Sequence, residues 1–267
     1  MKGSRYFPEM NRSEIEEYLR TGPKKVIVVV GSTEQHGPHL PVSTDVLIPM
    51  EVARRVAPDI DALIAPPMVF GISADHKPAG GVISLRMGTL SALVTDVALS
   101  LAEQGFREIV FLNGHYSNAW TISHSLSELE AALPKDTVAF GLSYWDALTP
   151  EQAAEFIGPT VGVHAAHTET AAVLAIDTTM VDMKKAPNDW PVFPELRTGV
   201  LTLLNSLCLG RPGSLAAACK TGSWGDCTKA TEAQGKKYLD WFVRATADMI
   251  KDLEDTFGHW PRYERRT

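Results

Sequence analysis

An apolar run, Val26-Ile27-Val28-Val29-Val30, ends at Gly31, and Glu34, His36, His39 and Asp45 follow it closely in "GSTEQHGPHLPVSTD". Carboxylates mixed with imidazoles suit Zn²⁺, Mn²⁺ or Fe²⁺ better than Ca²⁺. Glu34 and His36 are two apart, so in an extended segment they point the same way, with Cα atoms roughly 7 Å apart. That spacing suits ligands of two adjacent metal ions, which typically lie about 3.5–4 Å apart. Asp45 could bridge such ions, and His115, in "NGHYSN", would add a neutral nitrogen. A second group, His164, His167 and Glu169 in "VHAAHTET", could supply an acid/base residue and a final ligand.

Six of the eight histidines (His36, His39, His76, His115, His164 and His167) fall in these loops or in "GISADHKPAGG". Scattered core histidines would not group this way. Blander roles exist for single residues. Asp45 could cap a helix beginning at Val46. His39, between Pro38 and Pro41, is as well suited to a structural role as to a ligand's. His124 reads as packed or exposed on a helix, and His259 as solvated. Asn113 and Asn118 could make only turn hydrogen bonds. Gly80 and Gly81 match no phosphate-binding pattern. Taken together, Glu34, His36, Asp45 and His115 favour a metal site.

The elements that must position these residues alternate. "SEIEEYLR", from Ser13, has a helix-start pattern. Residues 24–31 read as a short, continuous, buried strand. Helices are expected over 46–57, 90–106 and 118–133, and strands over 62–71 (with a turn), 108–114 and 137–145. A further helix starts near Thr168, and the last covers 228–257, with Gly235 early in its pattern. The Pro-rich stretch 184–199 reads as an ordered surface loop. Alternating β and α elements favour a parallel sheet with helices on both faces, as one domain over 1–267. In such sheets, sites form beyond the carboxyl ends of the strands. Glu34 and His36 follow one strand and His115 follows another, so two strands deliver ligand-type residues to one edge.

The chain has 267 residues, 45% of them hydrophobic, enough for a large core. Its formal charge is −7, and no Lys/Arg cluster points to nucleic acid or an anionic membrane. The N-terminal stretch lacks an apolar signal core, and no run approaches membrane-spanning length, so a soluble, cytoplasmic protein is expected. Cys208, Cys219 and Cys227 are odd in number, which argues against a disulfide framework.

At these residues the sequence resembles the creatininase (creatinine amidohydrolase) family, from about Glu34 to the final helix. "GSTEQHGPHLPVSTD" is similar to that family's first signature, and "FGISADHKPAGGVISLR" to its second loop. "GFREIVFLNGHYSN" resembles its strand and "NGHGGN" segment, and "HAAHTET" its "HAGExET" segment. "GSWGDCTKATEAQGKKY" resembles the C-terminal "GDPxxAT…G" segment, with Cys227 where Pro is usual.

The resemblance implies a three-layer α/β/α sandwich with a mostly parallel central sheet. It also implies two divalent metal ions (Zn, Mn or Fe), hydrolysis of a C–N bond in a small amide, and a homohexamer. Carried over, Glu34, Asp45 and His115 would hold one ion, and His36 and Asp45 the second with a further carboxylate. In creatininases that carboxylate lies two residues after the histidine, where this chain has Ser117, so Glu169 would have to complete the second site. The catalytic histidine corresponds to His164, expected to protonate the leaving nitrogen, with Glu169 as its partner or a ligand. This chain reads "VHAA" where creatininases carry "EHGG", which argues against creatinine as substrate. Trp145 lies where the family can place an aromatic lid. His76, Tyr116 and Ser117 are the other expected substrate contacts; Asp75 and Trp190 could line a pocket as well, or Trp145 and Trp190 could simply pack. Three rival classes stay open: a binding or scaffold subunit that has lost catalysis, a non-hydrolytic metal enzyme on the same site, and, more distantly, a cysteine-dependent hydrolase.

Overall fold

The computed structural model describes residues 4–129, 131–158, 160–191 and 213–259, without the side chains of residues 216 and 257–259. Cys208, the loop stretch 192–199 and the side chain of His259 therefore lie outside the described residues. The expected strand over 24–31 is β1 (Lys25–Val30), and those over 62–71, 108–114 and 137–145 are β2 (Leu63–Ile64), β3 (Glu108–Asn113) and β4 (Val138–Ser143). They form one sheet in the order β2-β1-β3-β4, with every pairing parallel.

Val26 through Val30 are all buried because a parallel sheet is covered on both faces, which explains the absence of polar alternation. Side chains nevertheless sort by the two-residue period. Ile27, Val29, Val110 and Leu112 join one core cluster, whereas Val26, Val28, Val30, Ile109 and Phe111 join the other. The first cluster is closed by α2 (Thr44–Asp59), α6 (His167–Ile176) and α8 (Glu232–His259). The second is closed by α1 (Arg12–Thr21), α3 (Met87–Gln104) and α4 (Ala119–Leu129). The result is the expected three-layer α/β/α arrangement. Each fully buried Val or Ile contributes roughly 1.5–3 kcal/mol, so β1 anchors both layers.

Two short helices, α5 (Pro150–Phe156) and α7 (Ser214–Ala218), and an antiparallel two-stranded ribbon of β5 (Asn188–Asp189) and β6 (Gly225–Asp226) complete the described fold. Among the described residues no helix is long and apolar enough to cross a membrane. The helix expected from Val46 begins two residues earlier, at Thr44, so Asp45 sits in its first turn. Its N-cap is Ser43, whose side chain makes no capping bond. Asp45 is therefore not the cap, and its carboxylate is free for another task. Gly235 lies inside α8, where the α6 backbone passes too close for a side chain.

Candidate metal centre

The carboxyl ends of β1 and β3 and the start of α2 converge at one point. Gly31 and Gly114 make this possible. A Cβ on Gly31 would lie 2.6 Å from the Asp45 carbonyl oxygen, and one on Gly114 only 2.2 Å from it. Without side chains at either strand end, the first turn of α2 settles over the sheet edge and brings Asp45 to the residues following β1 and β3.

Glu34, His36, Asp45 and His115 are all buried there. His115 Nδ1 lies 3.2 Å from Glu34 Oε2 and 3.0 Å from Asp45 Oδ2. His36 Nε2 lies 3.1 Å from Asp45 Oδ1 and 3.9 Å from Glu169 Oε1. Asp45 thus offers one oxygen to each imidazole. Two groups, Glu34–Asp45–His115 and His36–Asp45–Glu169, each bring their ligand atoms within 4.8 Å of one another. A third, Glu34–His36–His164, overlaps both.

The hydrogen bonds fix which ring nitrogens face the carboxylates. His115 Nε2 donates to the Ile72 carbonyl at 2.6 Å, and His36 Nδ1 donates to the Glu34 carbonyl at 3.3 Å. A carbonyl only accepts, so the opposite nitrogen of each ring is aimed at carboxylate oxygens. Backbone anchoring of a ring's far nitrogen is the usual outer support of a metal-ligating histidine. Glu34 Oε2 and Asp45 Oδ2 are buried, and unless His115 Nδ1 carries a proton neither has a hydrogen-bond partner. Orphaned buried carboxylate oxygens are costly, and a cation between them removes the cost. The donor set fits one or two divalent ions.

Electrostatics agree. Burial works against charge on Glu34, but the His115 and His76 imidazoles outweigh it and hold its carboxyl well below the usual range. Burial likewise opposes charge on His115, and Glu34 and Asp45 push its pKa well above the ordinary value. Against burial, Asp45, Glu169 and Glu34 raise His36 to about 9. Three carboxylates demand positive charge here, which protons or a metal can supply. Burial, and then Asp45, push Glu169 up to about 7.

His164 differs. Its Nε2 donates to the Gln35 carbonyl at 2.9 Å, and Nδ1 lies 3.9 Å from Glu34 Oε1. Burial and the neighbouring His36 and His76 hold it well below the ordinary value, which favours the neutral ring. Glu169 Oε2 accepts from the Ala165 backbone N–H at 2.6 Å. Ala165 has a positive φ of 47°, an uncommon conformation for a residue with a Cβ, and it bends the chain between His164 and the start of α6.

A cavity of about 70 Å³ opens onto this cluster. His76, Tyr116, Ser117 and Trp145 all line it, as does Asp75. His76 also faces Glu34, with Nε2 3.1 Å from Oε1, while its Nδ1 accepts from the Gln35 amide at 2.9 Å. Trp145 lies over Phe156, ring centroids 6.3 Å apart.

Other expectations resolve differently. His167 does not join the cluster: as the first residue of α6 it is half-buried against α8, with Nε2 3.3 Å from the Tyr238 hydroxyl. His39 is structural, its Nε2 bonded to Thr170 Oγ1 at 2.8 Å. Trp190 lies outside the cavity lining and donates to Asn188. Burial pushes the Cys219 and Cys227 thiols up to about 12, and neither lines the cavity, which leaves them poor nucleophiles.

Two contributors went unread in the sequence. Gln35 lies between two ligand-type residues and in a regular strand would point away. Gly37, at φ 67°, turns the chain, and the Gln35 amide reaches His76 and the Gly222 carbonyl. Tyr144, in the cavity lining, follows β4 between Ser143 and Trp145, in no pattern that marks a site.

The model of a family described as creatinine amidohydrolase matches residues 8–250. The chain is 32% identical to the "Mycofactocin precursor peptide peptidase" of Mycolicibacterium smegmatis, over 92% of each chain. It is 31% identical to the "Creatinine amidohydrolase" of Pseudomonas putida, over 94% of this chain and 98% of that one. Among solved structures it matches "Creatininase Mn" with a TM-score of 0.78 and 28% identity, over 93% of this chain and 98% of that one. A creatininase mutant described as "Zn-Zn type" matches with the same values. The chain belongs to the creatininase family, an amidohydrolase family with a metal site.

Proposed function

We propose that the protein is a metal-dependent amidohydrolase that cleaves the C–N bond of a small amide, either cyclic or formamide-like, with two divalent ions of Zn, Mn or Fe. One observation carries this reading: His36 and His115 each anchor one ring nitrogen on a backbone carbonyl and aim the other at carboxylates that share Asp45. Glu34, Asp45 and His115 would hold one ion, and His36, Asp45 and Glu169 the other. Glu169 thereby takes the place of the carboxylate missing at Ser117.

When bound, the ions would supply Lewis acidity, lowering the pKa of a water and stabilising negative charge on the amide oxygen. His164, neutral and with Nδ1 turned toward Glu34, accepts the attacking water's proton and then passes it to the leaving nitrogen. Amide nitrogen leaves poorly unless protonated. The Ala165 N–H holds Glu169 in place, and the Gln35–His76–Glu34 chain fixes the Glu34 carboxylate. Tyr116, Ser117 and Trp145 contact the substrate. The same reading makes the chain one cytoplasmic domain that assembles as a homo-oligomer, expected as a hexamer by light scattering.

A peptide amide is the second reading, favoured by the Mycolicibacterium relative's name. The test is hydrolysis of lactams, formamides and short peptides by metal-reconstituted protein in ¹⁸O-labelled water. Label in the product, lost with His164→Ala, is the expected result. Turnover without label would make this a non-hydrolytic metal enzyme. Metal and ligand binding without turnover of any amide would make it a binding subunit.

A further inference from the structure

Two polar residues of the cavity lining, Asp75 and Ser117, stand outside the candidate metal ligands. Ser117 Oγ and Asp75 Oδ1 are buried and have no hydrogen-bond partner. Ser117 is 1% exposed and Asp75 2%, and both line the cavity. A buried polar atom without a partner costs free energy comparable to a lost hydrogen bond, and two beside one cavity call for a ligand.

The segments that carry them are tied together. His115 Nε2 donates to the Ile72 carbonyl at 2.6 Å, and the Ile72 N–H donates to Asn118 Oδ1 at 2.9 Å. The loop bearing Asp75 is thus laced to the turn bearing Ser117. Gly213 N–H donates to the Ala74 carbonyl, which holds the Asp75 loop from its other side.

The rest of the lining is of two kinds. Beyond the metal cluster, Trp145, Phe156, Ile157, Val163 and Leu215 present apolar surface. No lysine or arginine is among the described lining residues. A substrate carboxylate would find no cation there other than the metals, whereas a nitrogen donor would find Asp75.

We propose that Asp75 and Ser117 form a substrate-reading pair that accepts hydrogen bonds from an amino nitrogen next to the scissile carbonyl, while an apolar substituent lies against the Trp145 side. The substrate is then an α-amino amide with an apolar side group. This rests on the metal-hydrolase reading and narrows its substrate. Asp75 Oδ1 is one acceptor and Ser117 Oγ a second. A charge-assisted hydrogen bond of this kind is worth about tenfold or more in affinity.

Hydroxamates test this because they chelate metal whatever the natural substrate. Leucine hydroxamate and 4-methylpentanohydroxamate differ only in the amino group. Their affinities for the manganese-loaded protein can be compared by titration calorimetry, on wild type, Asp75→Asn and Ser117→Ala. Asp75→Ser serves if the Asn variant does not fold. The expected result is a preference of about tenfold or more for leucine hydroxamate in wild type. That preference should fall below about threefold in the Asp75 variant, with metal content and 4-methylpentanohydroxamate affinity unchanged. Equal affinities in wild type, or a preference that survives at Asp75, would overturn the reading pair and leave the metal site standing. No binding of either hydroxamate to loaded protein would overturn the hydrolase reading and this proposal with it.

Discussion

The imidazole of His115 and the carbonyl of Ile72 are joined by a 2.6 Å hydrogen bond, which leaves only Nδ1 to face Glu34 and Asp45. That nitrogen carries either a proton or a metal ion. The carboxylates that hold His115 protonated, and raise His36 to about 9, are the groups a cation would displace those protons to reach. Metal uptake near pH 7.5 should therefore release protons, and apparent affinity should weaken as pH falls. Calorimetry in buffers of differing ionisation enthalpy measures the release. Uptake with no proton release would contradict this arrangement.

On the proposed reading, His76 acts as an outer support of Glu34. Its Nδ1 is bonded by Gln35, and its Nε2 faces Glu34 Oε1. Removing such outer support typically weakens metal binding about 10–100-fold. His76→Ala and Gln35→Ala should each do so in a competition with a fluorescent chelator. The double variant should lose little more than either single one, because the two residues act as one chain. Full additivity would show them acting separately.

Much of this candidate centre is legible because its candidate ligands sit in short loops after strands that read unambiguously. Glu34, His36, Asp45 and His115 need no long-range information beyond the sheet edge. The second sequence group divides because helix geometry intervenes. α6 begins at His167, so His167 and Glu169 point to different sides, and only Glu169 reaches His36. The sequence pattern points to a start of α2 at Val46, two residues late, and this makes Asp45 resemble a helix cap. α5 has a capping box of Thr149 and Gln152 around Pro150, but at seven residues it is too short to show a periodic face. The two-residue strands β5 and β6 carry no periodic pattern, being too short to show one.

Packing makes its own prediction at Gly235. A Cβ there would lie 1.8 Å from the Ala171 carbonyl oxygen, on the backbone of α6. Overpacking typically costs about 1–3 kcal/mol, and here α6 also carries Glu169. Gly235→Ala should lower Tm by several degrees and reduce metal occupancy, although residue 235 is no part of the site. Unchanged Tm and metal content would show that the two helices separate easily.

A separate pH effect lies at the other end of the sheet. Lys25 faces Glu108 at 3.6 Å and also pairs with Glu254 of α8. Burial, and then Glu254, raise Glu108 from 4.5 to about 8. A raised carboxyl pKa means the fold favours the protonated form. Its stabilising contribution is full below about 4.5 and is lost as pH rises through about 8. Glu108→Gln should flatten the fall in Tm across that window. An unchanged slope would assign the pH dependence to other groups.

The central claim is that Asp45 joins two metal positions, the second completed by Glu169. It is tested most directly by metal content per subunit, measured by plasma mass spectrometry on protein purified without chelator. The account predicts about two ions in wild type, near zero in Asp45→Ala and about one in Glu169→Gln. No metal in wild type even after reconstitution, or full occupancy in Asp45→Ala, would contradict it.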